Sequence, residues 1–154
     1  MATESRSPAR WPAYTMAVLF LGYAVGKASY AAQGRLGFPG GPVVPADEYE
    51  RYAREVADVA LVQWLGVPTG LLAAALVLAT VTAVGRRVPR VLMLPALAGM
   101  LVAVGGGAAI MVVDGFVGIG VGWQWYHGVL GVVVAGLLAA TVWSYWSYTR
   151  TPAD

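Results

Sequence analysis

The chain has 154 residues, of which 58 % are hydrophobic and 12 % charged, with a formal net charge of +2 and no cysteine. A soluble domain carries about 25 % charged residues, so the composition points to a lipid environment. The missing cysteines exclude disulfides, thiolate metal sites and a membrane quinone reductase working through a cysteine pair. Three of the ten basic residues, Arg86, Arg87 and Arg90, share one short loop; the remainder are too few and too scattered for a nucleic-acid face. The length suits one domain spanning residues 1–154.

The apolar residues fall in four blocks. Residues 11–33 contain one charge, Lys27; residues 59–84 and 91–113 contain none; residues 125–148 contain only His127. Each block exceeds the ~20 residues that cross a ~30 Å hydrocarbon core as a helix. In lipid a segment must satisfy its own backbone hydrogen bonds, so helix is the expected form. The blocks are too long and too unalternating for barrel strands. The expected fold is an all-α integral membrane four-helix bundle.

Block one also has the ingredients of a cleaved leader, with Arg6 and Arg10 before it and a small-x-small triplet at Ser29-Tyr30-Ala31. Its aromatic residues Trp11, Tyr14 and Tyr23 and its length suit an anchor better.

Between blocks one and two lies the longest connection. Residues 34–46 (GRLGFPGGPVVPA) are rich in glycine and proline, which predicts a non-helical loop. Asp47 then reads as an N-cap with Glu50 three residues on. Tyr49, Tyr52, Val56, Val59 and Ala60 share a face at helical spacing. This predicts a short extracytoplasmic amphipathic helix continuous with helix two, the pair covering residues 47–84 with 59–84 in the membrane. It either caps the helices or serves as a spacer. Residues 1–6 and the last four read as disordered tails.

Basic residues in short loops mark the cytoplasmic side. With the N-terminus inside, the inner segments hold Arg6, Arg10, Arg86, Arg87, Arg90 and Arg150. The outer ones hold Arg35, Arg51 and Arg54 among Asp47, Glu48, Glu50, Glu55 and Asp58. Both termini are therefore expected in the cytoplasm of a multi-pass protein of the cell membrane. Aromatic belts agree: Trp11, Tyr14, Trp143, Tyr145, Trp146 and Tyr148 on one level, Trp64, Trp123, Trp125 and Tyr126 on the other.

Ionisable groups within a bilayer are costly. A rise of ~1.5 Å per residue puts Lys27 about 24 Å above Trp11 and Asp114 about 35 Å above Val91. Gln63, Gln124 and His127 fall on the same outer level. These five define a candidate outward-facing polar pocket, with Lys27 and His127 handling protons or anions and Asp114 as counter-charge. The plainer alternative is that Lys27 snorkels to the headgroups and the others are solvated helix ends. A lone His with no cysteine and no carboxylate at i+3 or i+4 makes no metal site, and no cofactor is expected. No catalytic residue is assigned, and nucleotide fingerprints are lacking, since Gly34-Arg35-Leu36-Gly37 and the 118–122 glycines have no strand-to-helix context.

Gly22 and Gly26 in helix one, Gly66 and Gly70 in helix two and Gly105, Gly106 and Gly107 in helix three lie about 16 to 27 Å above the inner face. Small residues let helices approach closely in lipid, so these are candidate packing positions or room for a ligand. Pro68 is expected to kink helix two at this level.

The segment 23–37 (YAVGKASYAAQGRLG), the Leu36-Gly37-Phe38-Pro39 turn and Gly115-Phe116 resemble small four-helix membrane proteins of high-GC bacteria with a DoxX-like layout. The resemblance implies a compact four-helix bundle. It carries over no functional residues, because Gln63 and Trp64 stand where DoxX-like chains often have an acid. Small multidrug exporters share the helix count but depend on a buried glutamate in helix one, where this chain has Lys27. The function expected from the residues is a non-enzymatic accessory or binding component whose partners are membrane lipids, another membrane protein or a second copy. The alternatives are binding or transport of a small solute or proton at the polar level, and an enzyme on a lipid-like substrate using His127 with Asp114.

Overall fold

The computed structural model describes residues 9–42, 44–55, 58–120 and 122–150. The two tails, Arg6 among them, and Val56 of the expected amphipathic face lie outside the described residues, as does the side chain of Tyr52. All regular structure among the described residues is helical: α1 (Trp11–Ala32), α2 (Ala46–Glu55), α3 (Val59–Ala79), a 3-10 turn (Gly85–Arg87), α4 (Arg90–Val117) and α5 (Trp125–Arg150).

Local chemistry sets the helix ends. Pro12 sits in the first turn of α1, where its missing N–H costs nothing. At the other end Gly34 takes a left-handed φ of 61°, while the Arg35 N–H donates to the Tyr30 carbonyl at 2.9 Å. That closure needs glycine at the turn. Asp58 has extended backbone and accepts from the Leu61 N–H through its carboxylate at 2.8 Å. It is an N-cap, so α3 starts afresh there and is not continuous with α2 as the periodicity suggested. Pro68 lies inside α3.

Helix α3 stops at Ala79 rather than 84. The Thr80 hydroxyl donates to the Val77 carbonyl at 2.6 Å, and the chain doubles back so closely that Gly85 sits against the Ala79 backbone with no room for a side chain. Helix α4 runs a turn further than expected, to Val117, ending in left-handed Gly118 whose N–H donates to the Asp114 carbonyl at 2.7 Å.

Helix α1 packs against α3, α4 against α5, and α1 also meets α5. One core joins them: Met16 and Phe20 of α1, Val77 of α3, Met93 and Leu97 of α4, Leu138 and Tyr145 of α5. These residues come from the first halves of α1 and α4 and the second halves of α3 and α5, so the core occupies the half of the molecule that holds Arg90. At that end Arg90 donates to the Thr149 carbonyl at 3.1 Å and lies over the Trp146 ring.

The outward faces are apolar too. Val18, Val25, Leu72, Val102, Ile110, Val132 and Trp143 are all exposed, an arrangement suited to lipid. Helices α3, α4 and α5 are long and apolar enough to cross a membrane. Helix α1, with 22 residues, is long enough but falls outside that set, because Tyr14, Thr15, Tyr23, Lys27, Ser29 and Tyr30 lower its hydropathy.

Candidate functional site

The polar residues at the opposite end from the core organise two loops. Lys27, in α1, extends its stem along α3 over Gly66, where an added Cβ would lie 2.9 Å from its Cγ. Its ammonium donates to Gln63 Oε1 at 2.7 Å and to the Gly37 carbonyl at 3.2 Å. Gln63 Nε2 donates to the carbonyls of Arg35 and Gly37, both at 2.8 Å. One oxygen and two amide hydrogens exhaust what this side chain needs, which explains how Gln63 can be 1 % exposed.

Gly37, at φ 106°, gives the turn its shape. Next to it, the Phe38 ring stacks on Tyr23, with centroids 5.9 Å apart, and fills the space above Gly26. The first loop is thereby fastened to α1 and α3.

Asp114 and His127 hold the second loop and the far end of the first. The Asp114 carboxylate accepts from the backbone N–H groups of Gly120 at 2.7 Å and of Gly122 and Trp123 at 3.1 Å. It is 3 % exposed and caged by backbone donors, as an anion is in a nest of amides. The extra turn of α4 places it there instead of at a solvated end. Gly120 lies directly over the carboxylate.

His127, in the first turn of α5, accepts from the Gln124 N–H through Nδ1 at 3.0 Å. This reach-back onto the N-cap residue parallels a capping box. With Nδ1 accepting, the proton sits on Nε2, which donates to the Gly40 carbonyl at 2.8 Å. The ring bridges α5 to the first loop. Trp123 lies edge-on to His127 at 4.8 Å and beside Gly41.

The five candidate residues therefore fall in two knots. Lys27 and Gln63 share a hydrogen bond; Asp114, His127 and Gln124 meet through the backbone of Gly120, Gly122, Trp123 and Gln124. Asp114 and His127 bond to main-chain groups and not to each other, so they do not form the proton-transfer pair considered from the sequence. The Gln124 amide is peripheral, donating only to the Gly122 carbonyl at 3.4 Å. No three metal-ligating side chains cluster among the described residues. Sequence reasoning missed the partners: the carbonyls of Arg35, Gly37 and Gly40, and the rings of Tyr23, Phe38 and Trp123. The glycine-rich loop facing isolated polar side chains was the one available signal.

The packing glycines divide in the same way. Gly70 permits the close approach of α1, a Cβ there meeting the Phe20 carbonyl, the Ala24 methyl and the Tyr23 ring at 3.0 Å. Gly26 and Gly66 accommodate Phe38 and Lys27. Gly22 and the Gly105–Gly107 run face open space, contrary to the packing role expected for them. Gly115, Gly128 and Gly131 take that role between α4 and α5: a Cβ on Gly131 would stand 2.7 Å from the Ala108 carbonyl, and one on Gly115 2.7 Å from the Gly128 nitrogen.

No family model, curated protein or solved structure matches the chain.

Proposed function

We propose that the chain is a non-enzymatic component of the cell membrane: a four-span bundle of α1, α3, α4 and α5 with a tied-down outer cap. The observation that carries this reading is the fate of the buried polar side chains. Lys27, Gln63, Asp114 and His127 each spend their hydrogen bonds on backbone of the two loops or on one another. That chemistry fixes a surface in shape, as a binding or accessory component requires.

Helix α1 joins the bundle as the fourth span. Its 22 residues measure about 33 Å, and its single charge is already paired with polar groups near one end. Orientation follows from Arg10, Arg86, Arg87, Arg90 and Arg150 lying at the end opposite the cap, with both termini cytoplasmic. Exposed Trp11, Trp143 and Tyr148 mark one interface, and exposed Trp64, Trp125 and Tyr126 the other. Helix α2 is an outer amphipathic element. It has Asp47 and Glu48 in its first turn and Arg54 in its last, in accord with its dipole, and is tethered by the Tyr49 hydroxyl donating to the Gly34 carbonyl at 2.8 Å. The DoxX-like layout accords with this arrangement.

The absence of cysteine makes a direct test simple. Single cysteines are introduced at Arg51 and at Arg87 and probed on intact cells with a membrane-impermeant maleimide. Arg51→Cys should label in intact cells and Arg87→Cys only after permeabilisation. The reverse pattern, or labelling of both from one side, overturns the topology. Solute uptake into proteoliposomes that Lys27→Met abolishes, with the fold intact, would overturn the non-enzymatic, non-transporting assignment.

A further inference from the structure

We infer that Lys27 and Arg35 form a binding site for the phosphate of a phospholipid in the outer leaflet. The inference rests on the membrane reading above and names the ligand of the same polar end. Lys27 has a half-buried stem, and its ammonium has three donors, of which two are used by Gln63 and Gly37. Both partners are neutral. An uncompensated charge near hydrocarbon is costly, and a nearby anion relieves that cost.

Arg35 is placed beside it by the same knot. Its carbonyl accepts from Gln63 and its guanidinium stacks over Tyr30 at 4.8 Å. Tyr30 lies one helical turn beyond Lys27, so the two project from one face of α1. A Cβ added at Gly37 would come within 3.9 Å of the Tyr30 ring, and the Gly37 carbonyl receives the Lys27 bond, so both cations lie by one turn. Among the described residues, the guanidinium's side-chain hydrogen bond is a long one, to Gln33 Oε1 at 3.5 Å.

No carboxylate neutralises either cation among the described residues, where the one ion pair is Arg51–Glu48 at 3.9 Å. Asp58, the acid nearest in sequence to Gln63, is committed to the Leu61 N–H. The chemistry left over is two cations offering charge-assisted donors, which suits a phosphate. A diacyl phosphate fits better than a free one. Leu61, Trp64 and Leu65 on α3 and Leu21 and Val25 on α1 are exposed within two turns of Gln63 and Lys27 along their helices, apolar surface suited to the hydrocarbon of the leaflet that holds such a lipid.

Native mass spectrometry of the full chain released from phosphatidylglycerol nanodiscs tests the site. The variants are Lys27→Met, which keeps the stem over Gly66, and Arg35→Gln, whose side chain is exposed and supports nothing buried. Wild type should keep a bound phospholipid through mild activation, and each variant should lower that population about tenfold, as expected for one charge-assisted hydrogen bond. In a parallel arm, lipid-free protein in maltoside detergent is heated with and without inorganic phosphate. Stabilisation of wild type but not of the variants, without a difference in lipid retention, assigns the same cations to free phosphate. Equal lipid retention in wild type and Arg35→Gln, with no phosphate effect on either, overturns the site even if Lys27→Met fails to fold. The cysteine-labelling pattern then distinguishes the two failures: unchanged topology with unchanged lipid retention removes the site alone, whereas reversed topology removes the membrane reading beneath it.

Discussion

The two ends of the molecule are held together by different forces. At the end bearing Arg90, side chains such as Met16, Val77, Leu97 and Leu138 are fully buried against one another. Those contacts are non-directional, and one apolar side chain of similar volume can replace another with little loss. At the capped end, single polar side chains hold named backbone groups of two loops, and each bond has a direction and a stoichiometry. The difference teaches where specificity lies. In lipid, apolar contact between helices competes with equally apolar lipid tails, so it gives cohesion without uniqueness. A buried carboxylate or amide admits one arrangement, because leaving it unsatisfied costs more than the bond itself contributes.

The sharpest way to break that comparison is at Asp114. Asp114→Ala removes the acceptor for three backbone N–H groups at once, and should cost on the order of 4 kcal/mol. The loss should be confined to residues 118–123, measured as hydrogen exchange of those amides, with unfolding in mixed detergent reporting the total. Asp114→Asn keeps an acceptor oxygen but turns an NH2 toward amide donors, and should recover about half. Next is Gln63→Leu, which orphans the Arg35 carbonyl and takes one of two hydrogen bonds from the Lys27 ammonium and from the Gly37 carbonyl. About 3 kcal/mol is expected, with the first loop becoming cleavable by an added protease while α1 and α3 remain helical.

Leu97→Ala samples the other end. Leu-to-Ala changes in water-soluble cores cost about 3 to 5 kcal/mol, part transfer and part cavity. In lipid the transfer part largely disappears, leaving about 2 kcal/mol. Should Leu97→Ala destabilise more than Asp114→Ala in the same detergent titration, the contrast between the ends is wrong and the apolar core is the specifying element.

The sequence already marked the long apolar helices and the lone polar side chains, because long uncharged blocks and lone charges are physical signatures in themselves. Lys27, Gln63, Asp114 and His127 were visible for the same reason. Their partners were not. A carbonyl of Gly37 or Gly40 has no side chain to announce it, and whether it faces Lys27 or water depends on a glycine φ that composition does not encode. The end of α4 was misplaced by one turn, since Asp114, Gly115, Phe116 and Val117 continue it and only Gly118 stops it. Rise-per-residue arithmetic left Asp114 open to two readings, a counter-charge in a pocket or a solvated helix end, because depth alone says nothing of a loop that folds back over it.

Glycine separates the two kinds of legibility most clearly. Gly105, Gly106 and Gly107 attract notice as a run, yet they line an open face, whereas the isolated Gly131 lets α5 approach the Ala108 carbonyl. Spacing along one helix cannot tell which face its partner will take; the partner helix decides. Gly131→Ala should therefore destabilise by about 2 kcal/mol through overpacking against backbone that cannot move aside. Gly106→Ala should be neutral or stabilising by up to about 1 kcal/mol, because alanine favours the helix and meets nothing. Comparing the two in one detergent-unfolding series cancels the effect of the lipid mimic. A Gly106→Ala loss as large as that of Gly131→Ala would mean that the open face of α4 is covered in the membrane.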